Sequence, residues 1–124
     1  MTNKRPRGDE LNRAIAEAQG WVDIGDGLWG LAGRDRGYFM LPDYAHSEDA
    51  CAEAEKVLRS AYLTRRYTEY SDGSIEEEWW ERDNRTGLLR RIISSAQGML
   101  DGPVRAWALL DALRALKEAQ DDER

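Results

Sequence analysis

Apolar residues return at helical spacing in three separate stretches of this chain. The segments between them are short aromatic or β-branched runs broken by Gly, Asp and Pro, and that order constrains the fold more than any other feature. From Asp9 onward Leu11, Ala14, Ile15 and Ala18 share one helical face. Asp9 is placed to cap the first turn and Gly20 falls just past the end, which predicts a helix over about 9–19. Trp21 to Ile24 and Leu28 to Leu31 flank Gly25-Asp26-Gly27, a turn able to supply positive φ, so they read as a short hairpin. A polar loop with Gly33 and Gly37 leads to Tyr38-Phe39-Met40-Leu41, and Pro42-Asp43-Tyr44 ends regular structure there.

Ser47 precedes a second stripe, Ala50, Cys51, Ala54, Val57 and Leu58, with Glu48, Asp49, Glu53, Glu55 and Lys56 off it. Acidic residues in its first turn favour a helix N-terminus, and the helix is expected over about 47–60. Tyr62 to Tyr70 and Ile75 to Arg82 surround Ser71-Asp72-Gly73-Ser74 and form the best hairpin of the chain. Leu88 to Ser95 reads as a third strand, although Leu88, Leu89, Ile92 and Ile93 also fit a helical period and 86–102 stays ambiguous. Asp101-Gly102-Pro103 starts the last helix, about 103–119. The expected fold is therefore α+β, three helices packed on a small antiparallel sheet in the order α-β-β-α-β-β-(β)-α. One domain over 9–120 would lie between a disordered basic tail, 1–8, and a charged tail, 121–124.

Composition narrows the function classes. The chain has 124 residues, five of them Trp, and 41% apolar residues, enough for a core without disulfides or metal. One Cys and one His make a Cys/His zinc site improbable, and no cofactor or metal is expected. Eighteen Lys and Arg against 24 Asp and Glu give a net charge of −6, the wrong sign for direct nucleic-acid binding. Mean hydropathy is −0.75, and no apolar run approaches the ~20 residues of a membrane span. The basic start is not followed by an apolar core, so a cytoplasmic protein is expected.

The run Ala14-Ile15-Ala16-Glu17-Ala18-Gln19-Gly20-Trp21, then Trp29, then Leu41-Pro42-Asp43-Tyr44, Ser47, Ala50 and the helix to Leu58 resemble the phage ABA sandwich domain family. The resemblance covers about 9–60, and the remainder only by order of elements. It implies an α-β-α arrangement and a phage accessory gene product acting in the cytoplasm of a bacterial host. It brings no catalytic residues. By analogy, small acidic phage proteins include inhibitors of host defence, anti-CRISPR proteins among them, that block a basic surface.

The sharpest local feature is Glu69 to Asp83, where Glu69, Asp72, Glu76, Glu77, Glu78, Glu81 and Asp83 face a single cation, Arg82. Strand alternation puts Glu76, Glu78, Trp80 and Arg82 on one face and Ile75, Glu77, Trp79 and Glu81 on the other. With Trp79 inward, Trp80 becomes an aromatic anchor ringed by acid, suited to a host protein with a basic, nucleic-acid-binding surface. The plainer reading is an edge strand whose charges deter aggregation. Arg65, Arg66, Arg90 and Arg91 could instead hold an anionic ligand such as a nucleotide, or pair across strands with the Glu run. Together with Arg85 and the basic tail they could also support a homo-oligomer. Asp43, Tyr44, His46, Glu48, Asp49 and Cys51 gather the sole His and sole Cys, yet lack an oxyanion or phosphate-cradling motif, so His46 reads as loop and Cys51 as core. Trp21, Trp29, Tyr62, Tyr67, Trp79 and Trp107 read as sheet–helix core.

Overall fold

The computed structural model describes residues 5–31 and 39–122. The expected loop around Gly33 and Gly37 lies outside them, as do residues 1–4 and 123–124 of the two tails. Among the described residues three helices, α1 (Gly8–Ala18), α2 (Glu48–Ser60) and α3 (Val104–Asp122), combine with six strands. The α+β class and the antiparallel pairing agree with the sequence. The strands divide between two sheets: β1 (Trp21–Gly25), β2 (Leu28–Leu31) and β3 (Phe39–Met40) form the first, and β4 (Leu63–Glu69), β5 (Ser74–Arg82) and β6 (Leu89–Met99) the second. Within the ambiguous segment 86–102, Leu89–Met99 is thus a strand.

Helix α3 organises the core. Val104, Ala106 to Leu110, Ala112 and Leu113 are all buried, so the first half of this helix is enclosed on nearly every side rather than striped, while Arg114, Lys117, Glu118 and Ala119 beyond it are exposed. It packs against β5, β6, α1 and α2. The approach to β6 is close at Gly98, where a Cβ would lie 2.8 Å from Val104 Cγ2 and 3.2 Å from Trp107 Cζ3. Ser94 Oγ donates to the Ala108 carbonyl at 2.9 Å, tying the same two elements. Two irregularities interrupt β5–β6 pairing, leaving Ile93 and Arg90 as extra residues on β6.

Local chemistry sets the ends of the elements. Ser47 Oγ accepts the Ala50 N–H at 3.1 Å, the cap that α2 needs. Helix α1 starts one residue earlier than its expected cap. Arg7 flanks it without a side-chain bond and Asp9 lies inside the first turn, where its charge meets the helix dipole. At the first hairpin Gly25, Asp26 and Gly27 all take positive φ, 99°, 55° and 75°, as the turn requires.

Three expectations are corrected. Arg5 to Arg7 are not a free tail: the Pro6 carbonyl accepts Trp107 Nε1–H at 2.7 Å, Arg5 pairs with Asp111 at 2.9 Å, and both guanidiniums lie over the Trp107 ring. Glu55, read as off the α2 stripe, is fully buried, whereas Val57 is 46% exposed. Tyr62 and Tyr67 are not core. Tyr62 holds φ 63° at the exit from α2, and Tyr67 is exposed on β4 with the Arg65 guanidinium 5.8 Å from its ring.

Candidate functional site

The second sheet has two unlike faces. Ile75, Glu77, Trp79, Ser94 and Ala96 are buried on the inner face, and the helices that touch the sheet meet it there, through contacts such as Ser94 with Ala108 and Arg59 with Trp79. The outer face carries Arg66 and Thr68 of β4, Glu76, Glu78 and Trp80 of β5, and Ile92, Ser95 and Gln97 of β6, by the pairing Arg66↔Glu78↔Ser95 and Trp80↔Ile92. Trp80 is half-buried, its Nε1–H enclosed yet without an acceptor among the described residues. Ile92 opposite it is 43% exposed.

The acidic hairpin is partitioned by this geometry. Glu77 leaves the surface. It is 1% exposed and accepts two bonds from Arg65, Nε at 2.6 Å and Nη2 at 2.5 Å, so it contributes to no docking face. Glu81 pairs with Arg91 Nη2 at 3.1 Å. Glu76 stays at the surface, accepting from Tyr70 Oη and Gln97 Nε2, each at 3.0 Å, and that first bond is the main reason the Tyr70 hydroxyl titrates above its ordinary value. Asp72 and Asp83 shape the turns at either end of β5. Bonds from the Ser74 hydroxyl and N–H hold Asp72 below the usual carboxylate range, and the N–H groups of Arg85 and Thr86 do the same for Asp83. Glu69 is exposed at the end of β4.

Arg65, Arg66, Arg90 and Arg91 do not form one patch. Arg65 serves Glu77 on the inner face, Arg66 lies on the outer face, and Arg90 and Arg91 are on the far strand of the sheet. An anion site built from these four is therefore not assembled.

A cleft that sequence patterning did not reveal opens where α2 and α3 begin beside β4 and β5. Its volume is about 530 Å³ and its lining includes Tyr44, Cys51, Arg65, Glu77 and Arg105. Arg105 grips the fully buried Glu55 through Nε at 2.9 Å and Nη2 at 2.7 Å, a second pair of the same form as Arg65–Glu77. That bond is the largest influence raising the Arg105 guanidinium above its usual range. A carboxylate at position 55, four residues after Cys51 and three before Leu58, was the available signal for this site.

His46 and Cys51 both line the cleft but are not joined. The Cys51 thiol donates to the Tyr44 carbonyl at 3.2 Å, and burial, followed by the Glu55 charge, pushes it up to about 12. His46 is exposed with Nδ1 3.1 Å from both Asp43 oxygens. Asp43 is in turn held below the usual range, first by the Asn12 amide at 3.1 Å and also by His46. Asn12 Oδ1 accepts the Ala45 N–H at 2.8 Å, which fixes this turn against α1. Among the described residues no group of three or more His, Cys, Asp or Glu is arranged to hold a metal ion, and no helix is long and apolar enough to cross a membrane. Comparison of the chain with family models, with curated proteins and with solved structures found no match.

Proposed function

We propose that the protein acts by binding rather than by catalysis, docking a basic surface of another protein on the outer face of the second sheet. The observation that carries this reading is Trp80, half-buried on a face that the helices contacting the sheet leave uncovered, opposite the exposed Ile92 and with Glu76 and Glu78 on the same strand face. A partner's apolar groups would cover Trp80 and Ile92, and its Lys or Arg side chains would meet the acidic rim. Such a patch has an apolar centre for affinity and charge for orientation. By analogy with the small phage proteins that 9–60 resembles in sequence, the partner is taken to be a nucleic-acid-binding component of host defence, its functional surface occluded.

The test compares the native protein with a Glu76→Lys/Glu78→Lys variant, both positions being half-buried at the surface, after circular dichroism has verified that the variant is folded. Each is used to capture proteins from host lysate at low and at high salt. One basic complex retained by the native chain, reduced by salt and lost with the variant, is the expected result. Equal retention by the variant refutes the proposal.

A further inference from the structure

The cleft at the start of α2 and α3 has its charges arranged in two tiers. Arg65 and Arg105 line it with side chains only 24% and 19% exposed, and each is held side-on by a buried carboxylate, Glu77 and Glu55. In both, the carboxylate takes Nε and Nη2, which leaves Nη1 without a partner among the described residues. Arg65, Glu77 and Arg105 line the same cleft, together with Cys51. Burying two ion pairs is an expensive way to fill a core that apolar side chains would fill at least as well. What it does achieve is to fix two guanidiniums in orientation beside one cavity, as buried carboxylates elsewhere orient the residues that touch a ligand.

The exposed lining has the opposite sign. Glu48 and Asp101, both exposed, border the same cleft, as do the exposed Tyr67 and Leu100. Each arginine is neutralised by its own carboxylate, so the inner tier offers N–H donors rather than net positive charge, and the exposed Glu48 and Asp101 add net negative charge. We propose that the cleft binds a small zwitterion, an amino acid or a short peptide with free termini. Its carboxylate contacts Nη1 of Arg65 and Arg105, and its ammonium lies beside Glu48 and Asp101. The volume of about 530 Å³ is within the range of small-molecule sites and exceeds the need of a single amino acid. The proposal is independent of docking on the outer sheet face.

Calorimetric titration of the intact protein tests it, using glycine, phenylalanine, lysine, glutamate and Gly-Gly as probes. Acetate, methylamine, N-acetylglycine and glycine methyl ester serve as half-ligands. At least one zwitterion should bind, and blocking either of its ends should weaken binding about tenfold or more, the effect of losing a charge-assisted contact. Glu48→Gln/Asp101→Asn, at exposed positions that leave the buried pairs intact, should erase the preference for a free ammonium. Arg65→Lys keeps a cation against Glu77 but removes the spare N–H, and should weaken the carboxylate end. Binding of Gly-Gly but not glycine would assign the peptide, and the reverse the amino acid. No heat with any zwitterion, or acetate binding as tightly as glycine, overturns the proposal.

Discussion

Replacing Arg105 by Met should destabilise the protein far more than replacing its partner Glu55 by Gln, although both remove the same ion pair. Glu55 is fully buried, and Arg105 supplies both of its close bonds. The remaining cation, Arg59, is 3.8 Å away on a side chain that is 58% exposed. Arg105→Met thus strands a carboxylate in the core, and breaking a buried pair in this way costs about 3–5 kcal/mol. Glu55→Gln leaves Arg105 free to turn toward the cleft and water, so its cost should be nearer the ~1.5–3 kcal/mol of one charged hydrogen-bonded contact. Glu55→Leu/Arg105→Met replaces both partners with apolar side chains and should recover most of the loss or exceed native stability. Urea unfolding followed by Trp fluorescence measures all three. A cost below about 1 kcal/mol for Arg105→Met, or a double variant no more stable than Arg105→Met alone, would refute the reasoning.

Gly98→Ala should cost about 1–3 kcal/mol and lower the melting temperature by roughly 3–12 °C, because the added Cβ meets Val104 and Trp107 on a helix with no room to retreat. An unchanged melting temperature would mean that α3 can shift away from β6. Native Cys51 should resist iodoacetamide at pH 8, where almost none of it is thiolate, and react fully in urea, with the labelled fraction read by mass spectrometry. The Asp83 carboxyl is held below its ordinary value by two backbone N–H groups, so its contribution to stability is present above about pH 4 and is lost as the pH falls through the lowered value. Asp83→Asn keeps an acceptor without the charge. Melting temperatures between about pH 4 and pH 2 should therefore fall less steeply in the variant than in the native protein, and parallel curves would count against the assignment.

Elements whose residues repeat at one period are legible in the sequence, and those where the period slips are not. Helix α1, α2 and the β4–β5 hairpin lie within a residue or two of expectation because Ser47, Gly20 and Asp72-Gly73 mark their ends chemically. Strand β6 is ambiguous because Arg90 and Ile93 are extra residues in its pairing, and these insertions bring Leu88, Leu89, Ile92 and Ile93 into a spacing that mimics a helix. On α2, side-chain type misleads where position does not: 51, 54, 55 and 58 are the buried stripe, and the carboxylate at 55 is inside because Arg105, fifty residues away, meets it there. The cleft has the same origin. Its residues come from α2, β4, β5, α3 and the segments that lead into the two helices, and no local pattern links Cys51, Arg65, Glu77 and Arg105 before the chain is folded.

The hairpin 69–83 looked in the sequence like one acidic surface, and folding divides its charge by function. Strand parity sends Glu77 inward with Trp79, where it anchors Arg65, while Glu76, Glu78 and Trp80 stay on the outer face as the alternation predicted. Arg91 takes up Glu81 and Arg66 lies opposite Glu78, so the field over that face is weaker than the carboxylates alone suggest. Long-range attraction is then too small to hold a partner without a contact that excludes water. Among the described residues of the outer face, Trp80 and Ile92, opposite each other in the pairing, and Leu89, opposite Arg82 and 39% exposed, are apolar side chains that can supply that contact. The acidic residues around them would set which partner approaches and in what orientation, and the aromatic centre would set how long it stays.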